Sequence, residues 1–330
     1  MTPGVAIVGC GLIGQKRARA LAGARLAACA DLDVRRAEGV AATSPGAIAT
    51  ADWREAIDRD DVGIVIVATI NDSLAEISRY AAEAGRHVLV EKPAGRTVAE
   101  IDEVIAAAAA AKRLVRVGFN HRYHPALQKA RELVDGGVAG ELMFVRGRYG
   151  HGGRVGYERE WRMDPAVSGG GELVDQGMHL LDLVHLLMGP LPLHSALLRT
   201  SFWDAPVEDN AVLLLGAPGP ADAPWAMLHA SWTEWKNLFS LEVYCRTGKL
   251  AVEGLAGSYG PQVLRVYAMK PELGPPDVDE TAFSAQDLSW VEEWRNVRAA
   301  VRAGATTLDD LDAARYAWGV IEDAYARSAT

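Results

Sequence analysis

Val5-Ala6-Ile7-Val8-Gly9-Cys10-Gly11-Leu12-Ile13-Gly14, near the start of the chain, reads as a buried strand that passes through a glycine turn into a helix continuing from Gln15 to Ala22. The Gly-x-Gly-x-x-Gly spacing has a mechanical meaning. Gly9 permits the tight turn, Gly11 lets a pyrophosphate come up against the backbone, and Gly14 lets helix and strand pack closely, with phosphates over the helix start at Leu12 and Ile13. A second apolar run, Leu26 to Ala30, ends in Asp31, about 20 residues beyond the turn, where a carboxylate takes both ribose hydroxyls of an adenosine and repels a 2'-phosphate. This predicts NAD as the cofactor; Arg35 and Arg36, just past that strand, are the groups that would hold NADP instead.

Outward from this unit, short apolar runs at Gly63 to Ala68, His87 to Val90 and Leu114 to Phe119 alternate with helical patterns. The alanine-rich Ile101 to Ala111 keeps a helical period and predicts a helix lying close to the sheet. Such alternation predicts an α/β fold whose N-terminal domain, residues 1–122, is a Rossmann doubly wound parallel sheet. After Tyr123 the texture changes. A helix from Pro125 to Asp135, a strand from Leu142 to Tyr149 and an apolar helix ending near Met188 precede runs at Ser195 to Phe202, Ala211 to Leu215, Trp225 to Trp232, Phe239 to Cys245, Lys249 to Glu253 and Val263 to Tyr267. Loops are expected at Gly216 to Pro224 and Pro271 to Asp277, and two helices close the chain, Asp287 to Ala303 and Leu308 to Ala326, the latter capped by Thr307. Consecutive strands with short connections predict a C-terminal α+β domain, residues 123–330, built on a large, mostly antiparallel open sheet. An open sheet face needs a cover, which predicts a homodimer or homotetramer.

Bulk properties narrow the partners. The 330 residues carry a net charge of -9, 49% hydrophobic and 23% charged residues, an ordinary globular composition that argues against nucleic acid or an anionic membrane surface. Cys10, Cys29 and Cys245 are too few and scattered for a disulfide frame or a zinc site. With no cationic leader and no apolar run of the ~18 residues needed to span a bilayer, a cytoplasmic protein is expected.

The segment Gly169-Gly170-Gly171-Glu172-Leu173-Val174-Asp175-Gln176-Gly177-Met178-His179-Leu180-Leu181-Asp182 sets Asp175, His179 and Asp182 at i, i+4 and i+7 among apolar residues. On an α-helix they form one polar stripe, with a carboxylate one turn from an imidazole, an orienter beside a base. Taken alone, the same spacing also suits a histidine satisfied in the core with two acids solvated at the helix surface.

With these pieces in place, the chain resembles the glucose-fructose oxidoreductase and inositol dehydrogenase family (Gfo/Idh/MocA) over essentially its whole length. The resemblance rests on Gly9 to Gly14, on Glu91-Lys92-Pro93 at a Rossmann strand end and on Gly170 to Asp182, with Trp161-Arg162 and Ser231-Trp232 as further matching positions. Glu91-Lys92-Pro93 also reads on its own: a lysine at the carboxyl edge of a parallel strand points into the crevice where such sheets bind ligands. The resemblance implies a cis bond between Lys92 and Pro93 and cofactor contacts from Thr69, Asn71, Glu91 and Lys92. The loop departs from the family's Ala-Thr-Pro-Asn pattern in having Ile70 for the proline, and it lacks the histidine that often follows.

The activity the resemblance implies is hydride transfer between a secondary alcohol of a sugar, cyclitol or nucleotide sugar and the nicotinamide, with no metal. His179 takes the hydroxyl proton, Asp175 orients the imidazole, and Lys92 donates to the substrate oxygen. Asp182 stays outside the catalytic set, as either a further orienting group or a helix-stabilising one. Asn120, Arg122, Tyr149 and Trp161 are candidate substrate contacts. Between Arg146 and Arg162 the local charge turns basic, through Arg146, Arg148, Arg154, Arg159 and Arg162 with His151. Arg148 and Arg162 then suit an anionic substrate, while the competing reading pairs these arginines with Glu158, Glu160 and Asp164. Two other functions fit the same fold: an NAD-retaining sugar hydrolase or epimerase working by transient oxidation, and a dinucleotide-binding regulator without catalysis.

Overall fold

The computed structural model describes residues 4–220 and 223–328; residues 221 and 222, inside the loop expected from Gly216 to Pro224, lie outside it. The first sheet is built from β1 (Gly4–Val8), β2 (Leu26–Ala30), β3 (Ile48–Thr50), β4 (Val62–Val67), β5 (His87–Val90) and β6 (Val115–Val117). Every residue of β1 and β2 is buried, as expected of strands covered by helices on both faces. The order is β3-β2-β1-β4-β5-β6 and every pairing is parallel. Growth of the sheet reverses between β1 and β4, so the carboxyl ends of these strands open the crevice where α/β sheets take ligands. The alanine-rich segment forms the helix Val98–Ala111, with Thr97 accepting from the Glu100 amide at its start and Ile101, Val104, Ala107 and Ala108 buried. The three-residue β3 was not expected, because so short and half-buried a run carries no legible period.

The second sheet contains β7 (Leu142–Gly150), β8 (Leu193–Arg199), β9 (Asn210–Leu215), β10 (Trp225–Ser231), β11 (Leu238–Cys245), β12 (Gly248–Glu253), β13 (Val263–Ala268) and β14 (Asp277–Ala282). Its order is β14-β13-β12-β11-β7-β10-β9-β8, antiparallel except for the β7–β10 pair. β14 is exposed along its length, and its Asp-Val-Asp-Glu-Thr-Ala sequence lacks the apolar alternation by which a half-buried strand is recognised. Burial alternates along β7: Val145, Gly147 and Tyr149 face inward, while Arg146 and Arg148 face outward. The helix Met178–Met188 covers the inward face, with Leu180 close against Gly147.

By contact the chain divides into residues 4–119 with Trp290–Arg315, and Asn120–Ser289 with residues 316–328. The sequence reading assigned all of 123–330 to one domain, but Trp294 and Val297 of the helix Ser289–Arg302 pack into the cluster formed by Val5, Ile7, Leu26 and Ile64. An amphipathic helix shows that it has a buried face and not which core receives it.

Inside the first unit, Arg17 of the helix Leu12–Ala20 is 1% exposed. Its Nε donates to Glu91 Oε1 at 2.6 Å, it pairs also with Glu293, and the Trp290 ring lies 4.5 Å from the guanidinium carbon. Burial pushes the Glu293 carboxyl up from 4.5 to about 7 against the opposing pull of Arg17. Removing one partner from such a buried set strands charge, so Arg17→Met is expected to cost about 3–5 kcal/mol in urea unfolding. A carboxyl whose pKa is raised by folding favours the fold at acid pH. The contribution of Glu293 is therefore full below 4.5 and lost as pH climbs through about 7, and Glu293→Gln should remove that slope from stability measured against pH.

Candidate active site

In the dinucleotide half, Gly9 has φ +89°, and a Cβ on Gly14 would stand 1.9 Å from the Gly9 carbonyl oxygen, so both positions are closed to side chains. Gly11 differs: it has φ -68° and nothing lies within 4 Å of where its Cβ would be. The space over the turn is open, and the helix that begins at Leu12 has neither a side-chain cap nor an acidic residue in its first turn, leaving amide donors directed at that space. Asp31 is held by two backbone amides, Cys10 N to Oδ2 at 2.7 Å and Asp33 N to Oδ1 at 2.9 Å. Arg35 and Arg36 both turn to Asp33, at 3.1 and 3.8 Å. These residues fit a dinucleotide: room for the pyrophosphate where a side chain would intrude, and a fixed carboxylate for the ribose.

In the Thr69–Asn71 loop, Ile70 stands in the proline's place at φ -74°, a value proline itself adopts. The Thr69 hydroxyl accepts from Ser73 at 2.9 Å, and Asn71, 8% exposed, opens the helix Asn71–Glu83. The Lys92–Pro93 bond is cis and Lys92, half-buried, follows the end of β5. Glu91, expected at the cofactor, has its carboxylate in the buried pair with Arg17.

In the second half, Leu173–Gly177 is a π turn that runs directly into the α-helix Met178–Met188. The continuous α stripe expected from the sequence is thus broken, and a π turn of this kind recurs at functional sites. Glu208 holds the start of the segment, its Oε1 accepting from Leu173 N and from the Tyr325 hydroxyl, each at 2.9 Å. Asp175, Asp182 and His179 meet different groups. Asp175 lies 3.6 Å from Arg162 Nε, and the Arg162 guanidinium lies over the Trp161 ring at 4.7 Å. Burial works against the Arg162 charge, but Asp175, Tyr157 and Glu160 outweigh it and hold its pKa above the ordinary value. Asp182 is fully buried against Arg122, whose Nε reaches its two oxygens at 2.8 and 3.1 Å. His179, 6% exposed, stacks on His121, ring centres 3.8 Å apart and planes 22° apart, with Tyr149 edge-on at 6.0 Å.

Several expected substrate contacts are committed elsewhere. Arg122 is tied to Asp182, and the Asn120 amide is engaged at both ends, Nδ2 donating to Ser289 Oγ at 2.8 Å and Oδ1 facing His121 Nδ1 at 3.2 Å. Arg148 points away from His179, since residues next to each other on β7 face opposite sides and Tyr149 has the inner one. The basic run is answered residue by residue: Arg146 by Glu242 at 2.5 Å, Arg148 by Glu234 at 3.3 Å, Arg154 by Glu160 at 2.5 Å, Arg159 by Glu158 at 3.6 Å and Arg162 by Glu160 at 3.1 Å. Sequence reasoning missed His121, Gln176 and Tyr259. Gln176 Nε2 donates to the Tyr259 hydroxyl at 2.8 Å; burial pushes Tyr259 up to about 12 and also raises Tyr149, which is hydrogen-bonded to it. The one signal for His121 was its position between the two residues already singled out, Asn120 and Arg122.

Residues 4–119 match the oxidoreductase family with an NAD-binding Rossmann fold, and residues 127–251 match the GFO/IDH/MocA C-terminal domain. The chain belongs to the Gfo/Idh/MocA family. It is 32% identical over 177 residues to levoglucosan dehydrogenase of Pseudarthrobacter phenanthrenivorans, covering 53% of this chain and 45% of that one. It is 30% identical over 217 residues to inositol 2-dehydrogenase 2 of Saccharopolyspora erythraea, covering 62% and 61%. The matched stretch therefore spans about half the length of these curated relatives. Among solved structures, levoglucosan dehydrogenase in complex with NADH superposes with TM-score 0.88 at 20% identity, covering 98% and 97% of the two chains, which shows a shared fold. An oxidoreductase domain protein from Kribbella flavida gives 0.86 at 25% identity, covering 99% and 98%.

The Gfo/Idh/MocA Rossmann domain binds NAD, and the open space at Gly11 supplies a direct check. Gly11→Ala adds a Cβ with no neighbouring atom within 4 Å in the fold. It is expected to leave the melting temperature unchanged while weakening NADH binding at least tenfold, about 1.4 kcal/mol by fluorescence titration.

Proposed function

We propose that this chain is an NAD-dependent dehydrogenase acting on a secondary alcohol of an uncharged sugar or cyclitol. The observation that carries the reading is a buried imidazole, His179, just past a π turn bearing Asp175, in a chain that also keeps Lys92 at the end of β5. A regulator has no need of a base with an orienting carboxylate. His179 accepts the hydroxyl proton, Asp175 steadies the imidazolium that results, and Lys92 donates a charge-assisted hydrogen bond to the oxygen as negative charge develops. Bound NAD supplies the acceptor for the hydride that leaves the same carbon.

An uncharged substrate is favoured because each arginine of the basic run has a carboxylate partner, so no fork is left over for a phosphate. The named relatives act on levoglucosan and inositol, both uncharged polyols. We assign dinucleotide binding to the domain of residues 1–122 and substrate binding with self-association to that of residues 123–330, less the segment Trp290–Arg315 that packs with the first. The outward face of the second sheet, where Phe144 stacks between Trp225 at 4.4 Å and Tyr244 at 4.2 Å, is the surface through which a homodimer or homotetramer forms. Three buried free thiols suit a reducing cytoplasm. Among the described residues, no helix is long and apolar enough to cross a membrane.

Removing a general base costs about 10²- to 10⁴-fold, so His179→Ala should lose that much in kcat with NADH binding intact. Lys92→Ala should be comparably severe, and Asp175→Asn milder. Stopped assays on a panel of sugars and cyclitols, followed by NADH absorbance, check this; wild-type turnover by His179→Ala would sink the mechanism. NAD is preferred over NADP, because a 2'-phosphate would meet the Asp31 charge while Arg35 and Arg36 are engaged with Asp33. Asp31→Ser should narrow or invert the ratio of the two dissociation constants, and tighter NADPH binding by the unaltered chain would overturn the preference.

A further inference from the structure

His121 lies against the proposed base without a part in the chemistry described above. It belongs to the short turn Asn120–Tyr123, is 5% exposed, and its ring stacks on His179. His124, Tyr149 and Phe239 meet it edge-on at 5.5, 5.0 and 5.9 Å, so the ring is fixed from several sides. We propose that His121 is a positioning residue for His179: it is the platform that sets the plane of the base's ring, and the two imidazoles share a single proton. The proposal rests on His179 being the base.

The protonation pattern follows from a chain of hydrogen bonds. Ser289 Oγ has one proton and gives it to Asp287 Oδ1, at 2.6 Å, so it must accept from Asn120. The Asn120 atom facing Ser289 is therefore the amide nitrogen, and the atom facing His121 Nδ1 is the carbonyl oxygen. An acceptor there requires the proton of neutral His121 to sit on Nδ1. The second consequence is electrostatic. Ring centres 3.8 Å apart, in an interior of effective dielectric ~20, disfavour a second positive charge by about a thousandfold.

The surrounding groups leave that repulsion in control. Arg122 and Asp182 neutralise one another, and burial holds His124 below the ordinary histidine value, with Asp287 opposing only in part. Tyr149 and Tyr259 are pushed up and stay neutral, and Asp175, one turn before His179, is answered by Arg162 at 3.6 Å. A proton on either ring therefore removes the base: on His179 directly, on His121 by repelling the proton that His179 should accept.

Nitrogen-15 titration of the histidine rings in the full chain reads this without any substrate. The expected result is His121 as the Nδ1–H tautomer and one proton taken up between the two rings as pH falls from about 8 to about 5. In kinetics, His121→Phe keeps the flat platform and one of the two protonation sites, so kcat at pH 8 should stay within about threefold and the acid limb of kcat/KM should move to lower pH. His121→Ala should lower kcat about tenfold or more with KM and NADH affinity nearly unchanged. His121→Arg, a fixed charge, should move the acid limb down further. Both rings protonating independently, or an acid limb that stays in place in the Phe and Arg variants alike, would overturn the proposal. Wild-type turnover by His179→Ala, with the rings still sharing a proton, would instead remove the base assignment and leave the pairing standing.

Discussion

The ion pair of Arg122 with Asp182 is the interaction on which the second unit depends. A carboxylate withdrawn fully from water costs several kcal/mol, and only a well-oriented donor repays it. Arg122 reaches both oxygens in a fork, which fixes direction as well as distance. The pair joins the turn Asn120–Tyr123 to the helix Met178–Met188, one residue from His121 on one side and one helical turn from His179 on the other. The face-to-face approach of the two imidazoles is then a consequence of register. Were the turn to slip by a residue along the helix, a buried charge would lose its partner, so the arrangement has one low-energy setting.

Charge pairing also decides how the basic run of the second unit is spent. A stretch with five arginines reads as a cationic surface as long as only neighbouring residues are counted. Two of its partners, Glu234 and Glu242, arrive from the turn after β10 and from β11, brought alongside β7 by sheet pairing. The pleat of β7 does the rest. Tyr149 is turned toward His179 and Arg148 to the opposite side, so an aromatic ring and not a guanidinium meets the imidazole.

The dinucleotide half shows the opposite case, in which local rules suffice. Glycines are demanded by backbone contacts a few residues away: Gly14 by the Gly9 carbonyl and Gly9 by the Ala68 backbone. Ile70, in the proline's place, holds a φ of -74°, which isoleucine and proline both adopt. Glu91, by contrast, has a partner that no local rule supplies, since its carboxylate answers a buried arginine from the helix after β1. The motif names both residues, Glu91 and Lys92, and does not say that the first is held by a helix 74 residues away in sequence.

From the sequence alone came the parallel six-stranded sheet apart from β3, the antiparallel sheet apart from β14 and the glycine turn, with Asp31, Asp175 and His179 singled out as candidates, all from period, spacing or a motif within about thirty residues. The tertiary structure alone decided which charges are spent internally, where the helix Ser289–Arg302 packs, that Leu173–Gly177 winds as a π turn, and that His121 lies on His179. The reason is physical. A side chain's intrinsic preference acts over one or two turns of chain, whereas the partner of a buried charge or ring is set by whichever distant segment packs beside it, and that choice is made by the whole core at once.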